Sequence, residues 1–104
     1  LIACGPVLPT TTKDMPWVPQ GEDNLRWWVA HSPAPVVAIG GLLEPQDLGR
    51  FAACGPACLC VVRGLGDTPA AIQARLPKLR EAVHEGRTRV SPPPAHPGLP
   101  HPVL

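Results

Sequence analysis

Two short, continuously apolar runs, Pro35-Val36-Val37-Ala38-Ile39 and Cys58-Leu59-Cys60-Val61-Val62, restrict the fold more than any other feature of the chain. Both are rich in β-branched or small apolar residues and lack the alternation of a strand with one wet face, the pattern of strands covered on both sides in a parallel sheet. Each is followed by glycine, Gly40-Gly41 in one case and Gly64 through Gly66 in the other. A helix opening comes next, Glu44-Pro45-Gln46-Asp47-Leu48 and Asp67-Thr68-Pro69, where a polar cap precedes a proline already set for the first helical turn. Strand, turn and helix therefore recur. Ile2-Ala3-Cys4, with Gly5-Pro6 as its exit, reads as the end of one more strand, and a long polar connection from Pro9 to Gly21 follows it. The next helix runs from about Glu22 to His31 with Leu25, Trp28 and Val29 on one face. The last, from about Pro69 to Glu85, sets Ile72, Leu76, Leu79 and Val83 along one stripe, and Pro77 predicts a kink or a division into two shorter helices.

Three strand-plus-helix units in series predict an α/β protein with a parallel sheet. An open sheet of three strands leaves both edges unpaired, whereas a closed eightfold barrel takes about 250 residues. The chain has 104 residues and opens at Leu1, inside an apolar stretch, so the expectation is part of something larger. With 44% hydrophobic and 16% charged residues it can bury one modest core. Six of its 16 prolines fall after Ser91, where Lys, Arg, Asp and Glu are all missing. The expected organisation is a domain over residues 1–90 and a disordered Pro-rich tail over 91–104.

Several function classes drop out. A net charge of +1 without a run of like charges gives nucleic acid no electrostatic footprint. No apolar run approaches the ~18 residues of a membrane helix and no basic-flanked leader is present, which makes a cytoplasmic protein the expectation. Cys4, Cys54, Cys58 and Cys60 lie in apolar surroundings and are expected reduced and mostly buried. Their spacing lacks the second pair a structural zinc site needs. His31, His84, His96 and His101 are scattered and suit surface roles. Trp28 is expected in the core and Trp27 on the helix surface or an interface, leaving Trp17, beside Lys13, as the tryptophan to consider near a site. Ala-Cys-Gly-Pro occurs at residues 3–6 and 53–56, but one copy leaves a strand and the other precedes one, so the match is read as chance.

The stretch richest in chemistry is Pro9-Thr10-Thr11-Thr12-Lys13-Asp14, just after the first strand. Three hydroxyls and an ammonium offer donors and a point charge to a phosphate or diphosphate. The plainer reading is a Thr-rich turn with an exposed lysine. Ile39-Gly40-Gly41 and Val62-Arg63-Gly64 are two further strand exits whose glycines let backbone N–H groups approach an anion. Taken singly each is an ordinary turn; on one carboxyl edge beside the Thr/Lys loop they make a single phosphate-binding rim. Arg63 adds a bidentate donor there, or instead pairs with an acid such as Asp67.

Three pieces, Gly5-Pro6-Val7-Leu8-Pro9-Thr10-Thr11-Thr12-Lys13, Pro35-Val36-Val37-Ala38-Ile39-Gly40-Gly41-Leu42 and Val61-Val62-Arg63-Gly64, in this order and at these separations, resemble thiamine phosphate synthases over residues 1 to about 85. The resemblance implies a (β/α)8 TIM barrel, with this chain matching its sixth to eighth strands and their helices. It implies transfer of an aminopyrimidine-methyl group from its diphosphate to the nitrogen of a thiazole phosphate, releasing diphosphate. By the same resemblance Lys13 holds the pyrimidine diphosphate, while Thr10, Thr11, Thr12, Gly41, Val62 and Arg63 contact the thiazole phosphate, and no residue is assigned beyond binding. Arg63 stands where the family pattern has Ser, which preserves a backbone contact and removes a hydroxyl. The implied cofactor is Mg²⁺, held by carboxylates in the first five units, which have no counterpart here; the expectation is no metal ligand in this chain. The partners implied are the two small-molecule substrates, without nucleic acid or membrane. Alternatives are a thiazole tautomerase-like relative and a non-catalytic phosphate-binding remnant.

Overall fold

The computed structural model describes residues 1–9 and 19–92. They form three parallel strands, β1 (Ile2–Cys4), β2 (Val36–Ile39) and β3 (Cys58–Cys60), ordered β1-β2-β3 in one sheet. Helix α1 (Gly21–His31) joins the first two, α2 (Pro45–Ala52) joins the second and third, and α3 (Pro69–Arg87) follows the last. The register pairs Ala3 with Val37 and Val37 with Cys58.

The helix openings follow from the capping residues. The Glu44 N–H donates to Asp47 Oδ2 at 3.4 Å with Pro45 in the first turn, and Thr68 Oγ1 accepts from the Ala71 N–H at 3.1 Å with Pro69 behind it. Pro77 does not divide α3, which is one helix over 69–87. Both Pro77 and Gln73, whose carbonyl the proline leaves without its helical donor, are exposed, so water can take that donor's place. The predicted stripe holds: Leu79 is buried, and Ile72, Leu76 and Val83 are half-buried. The sequence reading missed how close α2 and α3 come. Gly86 is buried against the Gly49 carbonyl, and a Cβ on it would lie 2.8 Å from that of Ala52.

Because side chains alternate along a strand, the sheet has two unlike faces. Cys4, Val36 and Ala38 join Leu25 of α1, Leu48 and Phe51 of α2 and Leu79 of α3 in the core, with Leu59 packed against it. Ala3, Val37, Ile39, Cys58 and Cys60 point to the other side. This corrects the expectation for the second apolar run. β3 ends at Cys60, since Val62 already turns into the short 3-10 segment Arg63–Leu65, and Cys58 and Cys60 are exposed rather than buried. β3 is an edge strand, and no described helix covers its second face. Ser91 donates its N–H to the Ala53 carbonyl at 3.2 Å, and the expected tail from residue 93 onward lies outside the described residues.

The two copies of Ala-Cys-Gly-Pro end in different settings, as their flanks predict. Gly5-Pro6 is a cis peptide leaving β1, while Gly55 has φ +86° between α2 and β3. Their cysteines share one property: burial pushes the Cys4 and Cys54 thiols up to about 11. For Cys54 the Arg26 guanidinium opposes that rise and the Glu22 and Asp23 carboxylates add to it. A raised folded-state pKa contributes stability below the unfolded value near 9, and that stability disappears as pH climbs toward 11. We expect urea midpoints to fall across this window, and Cys4→Ala/Cys54→Ala to flatten the fall. In the 104-residue chain by itself at mildly alkaline pH a thiol reagent should modify Cys58 and Cys60 quickly and the buried pair slowly, which mass mapping of the labelled peptides would check.

Candidate functional site

Parallel strands bring their exits to one edge, and here the three exits touch. After β1 the Val7 N–H donates to the Ile39 carbonyl at 3.0 Å and the Leu8 N–H to the Gly40 carbonyl at 3.2 Å. The β1 and β2 exits thus continue side by side beyond the last strand residue. Gly40 and Gly41 have φ of +96° and +77°, and a Cβ on Gly41 would lie 2.6 Å from the carbonyl oxygens of both Leu8 and Pro9. Only glycine allows both the backbone turn and this approach. On the other side a Cβ on Gly64 would lie 2.8 Å from the Leu42 oxygen and 2.9 Å from that of Leu43. The β2 exit is therefore sandwiched between the other two.

Of the residues singled out from sequence, Gly41 sits within this rim, and Val62 and Arg63 open its β3 side; Val62 is 72% exposed. Thr10, Thr11, Thr12 and Lys13, with Trp17, lie outside the described residues. The ends of that segment are anchored together. Pro9 meets Gly41, while the Gln20 N–H donates to the Pro6 carbonyl at 2.7 Å and the Gly21 N–H to that of Val7 at 3.0 Å. The chain leaves the rim at Pro9 and returns to the same exit at Gln20.

Trp28 packs against the core and Trp27 stacks on His31, centroids 4.4 Å apart, both on α1. Two polar residues near the rim escaped the sequence reading. Asn24 is buried on α1, its amide donating to Gln20 Oε1 and its Oδ1 without a partner among the described residues. A polar side chain beside Leu25 on the apolar face was the available signal. Arg75 of α3 donates to two carbonyls of the rim, and no spacing in the sequence announces it. Among the described residues no three His, Cys, Asp or Glu side chains gather as a metal site, and no helix is long and apolar enough to cross a membrane.

Sheet order, the one-sided core and the three-part rim define a parallel α/β protein whose candidate binding surface lies at the carboxyl ends of its strands. A family model, thiamine monophosphate synthase, matches residues 1–65. The chain belongs to that family. It is 41% identical over 86 residues to a thiamine-phosphate synthase of Neisseria meningitidis serogroup A, covering 82% of this chain and 40% of the relative. To the thiamine-phosphate synthase of Caldicellulosiruptor bescii it is 41% identical over 61 residues, 59% of this chain and 27% of the relative. With that of Dictyoglomus turgidum it shares 31% identity over 83 residues, 80% of this chain and 35% of the relative. The chain thus spans 40% or less of the length of these relatives. No solved structure matches it significantly.

Proposed function

We propose that this chain forms the phosphate-binding end of a thiamine phosphate synthase. The observation that carries the reading is the contact of three strand exits, Pro9, Gly41 and Gly64, in a chain of this family. Of the residues that the resemblance assigns to substrate, Gly41 belongs to this contact and Val62 and Arg63 lead into Gly64, while Thr10, Thr11, Thr12 and Lys13 lie outside the described residues. A closed (β/α)8 barrel made of this chain and further strand-plus-helix units suits the sheet. Consecutive strands stand in sequential order, the core lies on one face, the other face is apolar, and both edges are open to pairing.

In the proposed reaction the bond between the aminopyrimidine methylene carbon and its diphosphate oxygen breaks, the electron pair leaving with the diphosphate. The thiazole nitrogen then donates its lone pair to that carbon, giving thiamine phosphate and diphosphate. No side chain has to abstract a proton for this exchange; the protein positions two reactants and balances charge. Lys13 would hold the leaving diphosphate, and Thr10, Thr11 and Thr12 the thiazole substrate. Backbone N–H groups at Gly41, Val62 and Arg63 would hold the thiazole phosphate, as glycine-bearing strand exits suit an anion. Mg²⁺ would neutralise diphosphate when bound. Its ligands would come from further strand-plus-helix units.

The test is to supply the native protein with aminopyrimidine diphosphate, thiazole phosphate and Mg²⁺ and to quantify products. Thiamine phosphate and diphosphate in equal amounts are expected. Thiazole phosphate binding without transfer would replace the reading by a tautomerase-like or non-catalytic one, and no binding at all would overturn it.

A further inference from the structure

The geometry points to Arg75 as the positioning residue of the rim: its guanidinium holds the β2 and β3 exits in one arrangement and so sets the affinity for the phosphate-bearing ligand. Arg75 Nε donates to the Gly64 carbonyl at 2.7 Å and Nη2 to the Leu43 carbonyl at 2.8 Å. These acceptors belong to different exits, one following β3 and the other following β2. They are joined by no backbone hydrogen bond of their own among the described residues. Gly64 nonetheless sits so close to this exit that a Cβ on it would lie 2.8 Å from the Leu42 oxygen and 2.9 Å from that of Leu43. A planar guanidinium supplies two donors in a fixed fork, so one side chain can set both the distance and the orientation of the two loops. Glu44 Oε2 lies 3.9 Å from Nη2 at the start of α2, and at this distance and exposure the pair contributes little.

Arg75 is half-exposed and distant in sequence from either glycine, and the assignments drawn from the family resemblance do not include it. The inference rests on the phosphate-rim reading above, and it adds a residue that acts through Gly64 and Leu43 rather than by touching substrate. A lysine would keep the charge and lose the fork, so the expected order of affinity is Arg, then Lys, then Ala. A purely structural role would instead lower stability and leave the affinity of the folded protein alone.

The experiment compares the native protein with Arg75→Ala and Arg75→Lys. Inorganic phosphate is the probe, its affinity read from the amide NMR shifts of Gly41 and Gly64, and a urea midpoint is measured for each variant. Arg75→Ala should bind phosphate about tenfold more weakly or worse, with Arg75→Lys between it and the parent. Should the alanine variant fail to fold, Arg75→Lys alone decides, because it retains the stem and charge. Phosphate affinity unchanged in the folded variants, beside clear binding by the parent, would overturn the positioning role and leave the rim reading intact. No phosphate-dependent shift in the parent would overturn the rim reading, and this inference with it.

Discussion

Gly41→Ala is expected to weaken binding of the phosphate-bearing substrate by about a hundredfold, the loss that a misplacement near 1 Å produces when a site works by positioning. Two effects combine at this residue. The left-handed backbone at φ +77° costs a side chain about 1–2 kcal/mol. The new Cβ also meets the Leu8 and Pro9 oxygens at 2.6 Å, and both are backbone atoms that cannot turn aside. The β1 exit must move, and with it the start of the Thr10–Lys13 segment. Gly21 provides the control, since it has a similar φ of +74° with no atom of the described residues within 4 Å of its missing Cβ. Gly21→Ala should show the strain alone, as a modest fall in urea midpoint with unchanged affinity. A KM for thiazole phosphate in Gly41→Ala no higher than in Gly21→Ala would remove Gly41 from the site.

Phe51→Ala should destabilise the protein by about 3–5 kcal/mol, a large share of the ~5–15 kcal/mol that holds a domain of this kind together. Phe51 is wholly buried and belongs to the cluster that joins α2 to the strands and to α1 and α3. The cavity would open where α2 meets its neighbours, and those neighbours are themselves held. Gly49 and Gly86 already bring α2 and α3 close together, and the Arg50–Glu22 ion pair at 3.4 Å spans α2 and α1. Little collapse is therefore available to fill the void. Val62→Ala, at a site 72% exposed, should change stability by less than about 0.5 kcal/mol. Urea unfolding of the two variants beside the parent measures both values, and a Phe51→Ala loss below 2 kcal/mol would show that the core relaxes around the gap.

Most of the element order was legible because each element announces itself locally. Apolar runs bounded by glycine marked β1 and β2, and Glu44-Pro45 and Thr68-Pro69 marked the openings of α2 and α3. The burial of Leu25 and Leu79 followed from helical spacing. The second run misled, since continuous apolarity states that a strand avoids water without stating what covers it. Cys58 and Cys60 lie on an edge strand, on the face away from the helices, and are exposed among the described residues. Pro77 misled in the opposite sense, because a helix tolerates proline where the orphaned carbonyl faces water.

For the candidate site, residue type carried the reading part of the way. Glycine after a strand and lysine after threonines are chemistry visible in one dimension, and Gly41, Val62 and Arg63 were chosen on that basis together with the family likeness. Arg75 was invisible because its acceptors, Gly64 and Leu43, are backbone carbonyls 11 and 32 positions away, and a carbonyl is common to every residue. Asn24 was overlooked because its neighbours on α1 form an otherwise ordinary amphipathic stripe.

The sequence by itself determined the parallel α/β class, the order of its units and the family, since these depend on periodicity, capping and short-range motifs that each segment carries alone. Only the tertiary structure decided that Pro9, Gly41 and Gly64 meet at one rim and that Arg75 bridges two of its loops. It also decided that no described helix covers the second face of the sheet. Those relations arise from which backbones lie side by side, and that depends on how the whole core packs rather than on any single stretch of chain.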